Sequence, residues 1–169
     1  MNKAVFLDRD GVINIDKSYV FKKKDFQLNQ GIIELLKYLI DKNFKLFVVT
    51  NQSGIGRGYF TELDFLNLTK HMKLIFEKHG VHFEEVYYCS CKPDTDCECR
   101  KPKPYLLNLG IEKYKIDVNK SWLIGDKETD ILAANNAGIF NTIKVMGKEE
   151  PGVEKYTVEK LAEIKEIIK

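Results

Sequence analysis

The sequence predicts an α/β protein with a Rossmann-like parallel sheet and helices on both faces. Three observations carry this. Short apolar runs alternate with segments of helical periodicity along nearly the whole chain. The apolar runs are continuous, as in strands covered on both sides, rather than alternating. Three of them end in a polar residue, at Asp8, Thr50 and Asp126, where an open parallel sheet forms its ligand crevice.

The elements follow in order. Residues 4–7 read as a buried strand. Ile32, Ile33, Leu35, Leu36, Leu39 and Ile40 recur at helical spacing. Residues 44–49 form a second strand, rich in aromatic and β-branched side chains. Thr61 with Asp64 resembles a capping box opening a helix that buries Phe65, Leu68, Met72, Ile75 and Phe76. Residues 86–88 are a short third strand. Pro104 suits the first turn of a helix through Leu106, Leu107, Leu109 and Gly110. Residues 122–124 form a fourth strand, 129–137 a helix stopped by Gly138, and 141–145 a fifth strand. After Pro151, Val158, Leu161, Ile164 and Ile168 predict a terminal amphipathic helix. The 169 residues suit one domain, without a linker or internal repeat.

Composition excludes several function classes. Net charge is +2, from 27 basic and 25 acidic residues, which gives no reason to expect a nucleic-acid partner. The basic run Lys22-Lys23-Lys24 reads as a solvated loop. No apolar segment is long enough to span a membrane, and the N-terminal apolar run is too short for a signal peptide. A cytoplasmic, monomeric protein with reduced cysteines is expected.

The densest chemistry lies in Phe6-Leu7-Asp8-Arg9-Asp10-Gly11-Val12. A strand that delivers Asp8 to its end, with Asp10 in the turn beyond, gathers two like charges around one small space. Such a pair needs a cation or a shared proton. Asp-x-Asp-Gly is also an ordinary turn. Asp126 at another strand end adds a third carboxylate and makes an oxygen-rich site suited to Mg²⁺. In that crevice Asp8 can attack phosphorus and Asp10 can act as acid and then base. The Thr50 hydroxyl can donate to phosphate oxygens. Lys101, held between Arg100 and Pro102, can neutralise phosphate charge. Asp130 either supports this shell or only begins a helix, and Arg57 is either a substrate contact or a surface residue.

Cys89-Ser90-Cys91 and Cys97-Glu98-Cys99 place four thiols within eleven residues. They can wrap a structural, tetrahedral Zn²⁺ that clamps the loop presenting Arg100 and Lys101. Two disulfides, or free thiols, are the competing accounts.

Together these residues resemble the haloacid dehalogenase-type phosphatases. Asp8-x-Asp10-Gly11-Val12 matches their first motif, Thr50 the second, Lys101 the third, and Gly125-Asp126 with Asp130 the fourth. The chain is further similar to a zinc-loop group within them. That group contains the D-glycero-D-manno-heptose 1,7-bisphosphate 7-phosphatases and the histidinol-phosphate phosphatases, in which the zinc loop runs into Cys-Arg-Lys-Pro, as Cys99-Arg100-Lys101-Pro102 does here. Residues 48–62, 16–20, 87–89 and 125–127 look closer to the heptose enzymes. Two features depart from the group. The second zinc ligand is usually His and here is Cys91, and the spacer between the cysteine pairs is short, nearer the histidinol-phosphate enzymes.

The resemblance implies Mg²⁺-dependent hydrolysis of a phosphomonoester through an aspartyl-phosphate. Asp8 is then the nucleophile and Asp10 the acid/base. Mg²⁺ is held by the Asp8 side chain, the Asp10 carbonyl and Asp126, while Thr50 and Lys101 steady the phosphoryl group. Asp16, Lys17, Ser18, Tyr19, Asn51, Gln52, Ser53, Arg57, Arg100 and Lys127 surround a phosphorylated sugar. No large cap domain is expected. The preferred reaction is removal of the C7 phosphate of the heptose bisphosphate. Histidinol-phosphate hydrolysis is the alternative enzyme, and a non-catalytic phosphosugar-binding protein is the alternative of another class.

Overall fold

The computed structural model describes residues 1–145 and 152–169. Among the described residues, six parallel strands form one sheet in the order β3-β2-β1-β4-β5-β6. They are β1 (Ala4–Leu7), β2 (Lys45–Asn51), β3 (Glu85–Cys89), β4 (Trp122–Gly125), β5 (Asn141–Val145) and β6 (Tyr156–Val158). The helices are α1 (Ile32–Asp41), α2 (Ser53–Gly56), α3 (Glu62–Glu77), α4 (Tyr105–Tyr114), α5 (Glu128–Asn136) and α6 (Ile164–Ile167).

The pleat explains why the central strands are apolar throughout. Successive side chains point to opposite faces. In β1, Val5 and Leu7 join Leu46, Val48, Ile124 and Ile143 under the apolar stripe of α1 (Ile32, Leu35, Leu36, Leu39), with Met72 and Phe76 of α3 and Ile164 of α6. Ala4 and Phe6 face the other way and join Phe47, Val49 and Leu123 under Leu106 and Leu107 of α4 and Ile131, Ala133 and Ala134 of α5. Both faces are therefore covered by helices, as expected. The two edge strands are the exceptions, with only Cys89 of β3 and Val158 of β6 fully buried.

Local chemistry sets several helix ends. The capping box at α3 is present: Asp64 N–H donates to Thr61 Oγ1 at 3.1 Å, and Thr61 N–H donates to Asp64 Oδ2 at 2.8 Å. Gly138 follows α5 at φ +83°, the left-handed conformation that glycine adopts without strain. Pro104 sits at the N-cap of α4, one residue earlier than expected, and the helix continues past Gly110 to Tyr114. A Cβ at Gly110 would lie 3.0 Å from the Phe6 ring, so the glycine lets α4 approach the sheet.

Two expectations change. Val158 belongs to a sixth strand and not to a terminal helix. It pairs with Val145, and only a 3₁₀ turn (Leu161–Glu163) and the single turn of α6 follow. Pairing at a sheet edge overrides local periodicity here. Pro151, expected to precede that helix, lies outside the described residues. The short α2 was not expected from Ser53-Gly54-Ile55-Gly56, because two glycines disfavour helix. Among the described residues, no further sheet is inserted after β1 or β2.

Phe47 stacks on Phe6 at a centroid distance of 5.0 Å and meets the Tyr114 ring edge-on at 5.0 Å. Phe47→Ala is expected to cost about 3–5 kcal/mol, because the packed rings cannot collapse into the cavity. Urea unfolding should show the midpoint falling at nearly constant slope.

Candidate active site

The strand order brings the polar ends together. β2, β1 and β4 are adjacent, and Thr50, Asp8 and Asp126 lie at or just beyond their carboxyl ends. Asp8 N–H donates to the Ile124 carbonyl at 3.0 Å, which carries the β1–β4 ladder into the site. Gly11, at φ +93°, turns the chain back after Asp10. A Cβ at Gly11 would overlap the Asp126 carboxylate, so the close approach of these two loops requires glycine there.

Lys101 binds the site together. Its Nζ lies 2.9 Å from Asp8 Oδ1 and 2.5 Å from Asp130 Oδ1, and donates to the Val49 carbonyl at 2.7 Å. It is 3% exposed. Burial pushes its ammonium pKa down, but Asp130 and Asp8 push it up by more, so it stays protonated. The lysine backbone is clamped by Asn51: Asn51 Nδ2 donates to the Lys101 carbonyl at 3.2 Å, and Lys101 N–H donates to Asn51 Oδ1 at 3.1 Å. The Lys101–Pro102 peptide is cis. Asp130 is a buried structural partner as well as the first-turn acid of α5. Its Oδ2 accepts from the Asp126 and Lys127 amides at 3.2 and 3.1 Å.

Three buried carboxylates, Asp8, Asp126 and Asp130, each bring an oxygen within 4.8 Å of the others. Asp126 Oδ1 is buried with no hydrogen-bond partner. An unsatisfied acceptor among clustered carboxylates fits a hard divalent cation such as Mg²⁺. Without one, burial raises the Asp126 carboxyl to about 8, with the Asp8 charge adding to the rise. Burial likewise raises Asp8 to about 6, with Lys101 holding it lower than burial alone would.

The Asp10 carboxylate is not in that group. It accepts from Arg9 Nε and Nη2 at 2.9–3.1 Å, from Gln52 Nε2 at 3.0 Å and from Asn14 Nδ2 at 3.0 Å. Gln52 Nε2 also donates to Thr50 Oγ1 at 2.9 Å, which leaves the Thr50 hydroxyl proton available to another acceptor. Arg9 and Asn14 were not anticipated from the sequence. One sat in the variable position of Asp-x-Asp, the other in a turn, and neither position signals which carboxylate it will touch.

A cleft of about 360 Å³ opens over these groups. Asp10, Asp16, Ser18, Tyr19, Asn51, Gln52, Ser53, Arg100 and Lys127 line it, with Gly54 and Thr129, which were not anticipated. Asp16 Oδ1 accepts from Ser18 N–H at 2.9 Å, and Ser18 and Tyr19 both have positive φ, so the loop turns sharply to present them. Lys127 Nζ lies 3.7 Å from Asp16 Oδ2. Burial lowers the Arg100 pKa, and the nearby Arg57 charge lowers it further. Two neighbouring cations at a cleft edge suit an anionic ligand. Lys17 and Arg57, both expected around a sugar, are exposed and outside the lining. Thr50 and Lys101 lie buried among the inner groups.

The cysteines converge, but as two disulfides, Cys89–Cys99 and Cys91–Cys97, where zinc thiolates were expected. Their loop is tied to the site. Gln52 N–H donates to the Cys89 carbonyl at 2.7 Å, Gly56 N–H to Ser90 at 3.0 Å, and Arg100 Nη1 to the Cys91 carbonyl at 3.4 Å. Sulfurs of different pairs approach to 3.4–3.8 Å. A zinc tetrathiolate with bonds of about 2.3 Å has sulfurs about 3.8 Å apart, so the ligand set fits that ion once reduced.

The family of haloacid dehalogenase-like hydrolases matches residues 13–145, and the chain belongs to it. A D-glycero-beta-D-manno-heptose-1,7-bisphosphate 7-phosphatase of Helicobacter pylori is 47% identical over 84% of this chain and 83% of its own length. A D-glycero-alpha-D-manno-heptose-1,7-bisphosphate 7-phosphatase of Campylobacter jejuni is 44% identical over 89% and 86%. The crystal structure of a D,D-heptose 1,7-bisphosphate phosphatase from B. bronchiseptica, complexed with magnesium and phosphate, superposes with a TM-score of 0.87 at 26% identity. It covers 98% of this chain and 97% of that one.

The raised carboxyl pKa values set a pH dependence. The folded, metal-free protein binds these protons more tightly than the unfolded chain, so the stability they contribute is complete below about pH 4 and is lost as pH rises. The loss runs through about 6 for Asp8 and about 8 for Asp126. Thermal melts of chelator-treated protein should fall from about pH 5 to about pH 8, and Mg²⁺ should restore the melting temperature most at the upper end.

Proposed function

We infer that this hydrolase removes the C7 phosphate of D-glycero-D-manno-heptose 1,7-bisphosphate through an aspartyl-phosphate. The observation that carries the chemistry is the shared pocket of Asp8, Asp126 and Lys101, with Asp126 Oδ1 left unpartnered. The substrate follows from the names of relatives at 43–47% identity, one of them aligned over all of this chain.

In this reading Asp8 attacks phosphorus while Asp10 gives a proton to the departing sugar oxygen. Asp10 then takes a proton from the water that cleaves the Asp8–phosphorus bond. Lys101 neutralises Asp8 and the phosphoryl oxygens, and the Thr50 hydroxyl donates to one of those oxygens. The Asp8 and Asp126 side chains and the Asp10 carbonyl would hold Mg²⁺, which would supply charge neutralisation at the phosphoryl group. The cleft residues Asp16, Ser18, Tyr19, Ser53, Arg100 and Lys127 supply donors and acceptors for sugar hydroxyls and for a second phosphate.

The reduced cysteine cluster holds one structural zinc, in a single-domain, cytoplasmic, monomeric enzyme. The sulfur spacing across pairs supports the zinc. No helix among the described residues is long and apolar enough to cross a membrane.

Three measurements test this. Phosphate release should be compared for both anomers of the heptose bisphosphate and for histidinol phosphate, with and without Mg²⁺. The heptose substrate should win by at least tenfold, about 1.4 kcal/mol in transition-state binding, and a reversed preference makes the chain a histidinol phosphatase. Asp8→Asn should fold and lose turnover; a native protein that binds heptose bisphosphate without hydrolysing it is a sensor instead. Metal analysis of protein purified under reducing conditions should give about one zinc per chain, lost on Cys97→Ser.

A further inference from the structure

Arg9 separates the two motif carboxylates, and among the described residues it is the largest fully buried side chain, 1% exposed. Its guanidinium forks onto Asp10, with Nε donating to Oδ2 at 3.1 Å and Nη2 lying 3.0 and 2.9 Å from Oδ1 and Oδ2. Nη2 also donates to the Val20 carbonyl at 2.7 Å, and the group lies 5.7 Å from the Phe65 ring centre. Nη1 is buried without a hydrogen-bond partner. A guanidinium so enclosed is costly without its counter-charge, so the Arg9–Asp10 contact is strongly held.

The consequence is a division of the acidic groups. Asp8, Asp126 and Asp130 point oxygens at one another, whereas Asp10, only two residues from Asp8, lines the cleft. Gln52 and Asn14 hold the same carboxylate from other sides, but each brings a single neutral donor. Only Arg9 brings charge and a planar fork that fixes both oxygens.

The geometry points to Arg9 as the positioning residue for the acid/base carboxylate. It keeps Asp10 on the cleft side, in line with the leaving oxygen and off the cation pocket. This rests on the acid/base reading of Asp10. The proton balance is that reading's own: Asp10 gives its proton to the ester oxygen as the phosphorus–oxygen bond breaks and the Asp8 bond forms, then regains one from the attacking water. Arg9 contacts neither substrate nor phosphorus and changes no bond.

A leaving-group comparison tests it. A sugar alkoxide needs the proton from Asp10, whereas 4-nitrophenolate departs without one. Arg9→Met should lower kcat/KM, which reports the step in which the leaving oxygen departs and not the shared hydrolysis of the aspartyl-phosphate, at least about tenfold more for heptose bisphosphate than for 4-nitrophenyl phosphate. Arg9→Lys keeps the buried charge but not the fork, and should show a smaller bias in the same direction. Asp10→Asn should show the largest bias. If Asp10→Asn lowers kcat/KM equally for both substrates, the leaving group takes no proton from Asp10, and the acid/base reading fails with the Arg9 proposal. If Asp10→Asn is biased but Arg9→Met slows both substrates equally, the acid/base reading stands and Arg9 is only structural. Should Arg9→Met not fold, Arg9→Lys decides on the same criterion.

Discussion

An ammonium buried beneath the crevice dictates much of the site. Lys101 cannot lose its water without gaining partners in its place, and it finds two carboxylates and a carbonyl on three different elements. Asp8 comes from the end of β1, Asp130 from the first turn of α5, and the Val49 carbonyl from β2. One side chain thereby locks together strands that meet only because the sheet order places β2, β1 and β4 side by side. The clamp from Asn51 fixes the lysine's own backbone, so that its position is set from both ends.

The carboxylates around it then divide by environment. Asp8 and Asp126 are driven towards protonation by burial, and a cation in their midst would restore their charge. Asp130 is committed to Lys101 and to the amides of the loop that carries Asp126. Asp10 is drawn aside by Arg9, Gln52 and Asn14. Four acidic side chains of the same chemistry thus receive different tasks from hydrogen-bond donors that lie around them.

The cysteine loop belongs to this arrangement through its backbone. Cys89 ends β3, and its carbonyl accepts from Gln52, whose side chain joins Thr50 to Asp10. The Cys91 carbonyl holds Arg100 at the cleft. Whether sulfurs bond to one another or to a metal, the cross-link closes the same short loop and sits beside residues that line the ligand cleft.

The strand ends were legible because a buried parallel strand leaves an unmistakable apolar run, and because polar residues at its carboxyl end have few reasons to be there. The capping box at Thr61, the four clustered cysteines and most of the cleft lining were legible from short-range pattern or family motif. Arg9 was not, since its meaning depends on where its guanidinium turns, and that is decided by the Val20 carbonyl and the Asp10 carboxylate meeting it in space. The three-residue strand β6 was hidden for a similar reason: its pairing with β5 comes from a neighbour in space, while its local spacing suggested helix. By itself, then, the chain specified five of the six strands, the longer helices, the parallel sheet and the identities of the acidic groups, all of which follow from apolar periodicity and residue chemistry. Tertiary structure alone decided which acid pairs with which cation, which sulfurs meet and which oxygen stays unpartnered, because those outcomes depend on distances between segments that the chain's local pattern does not encode.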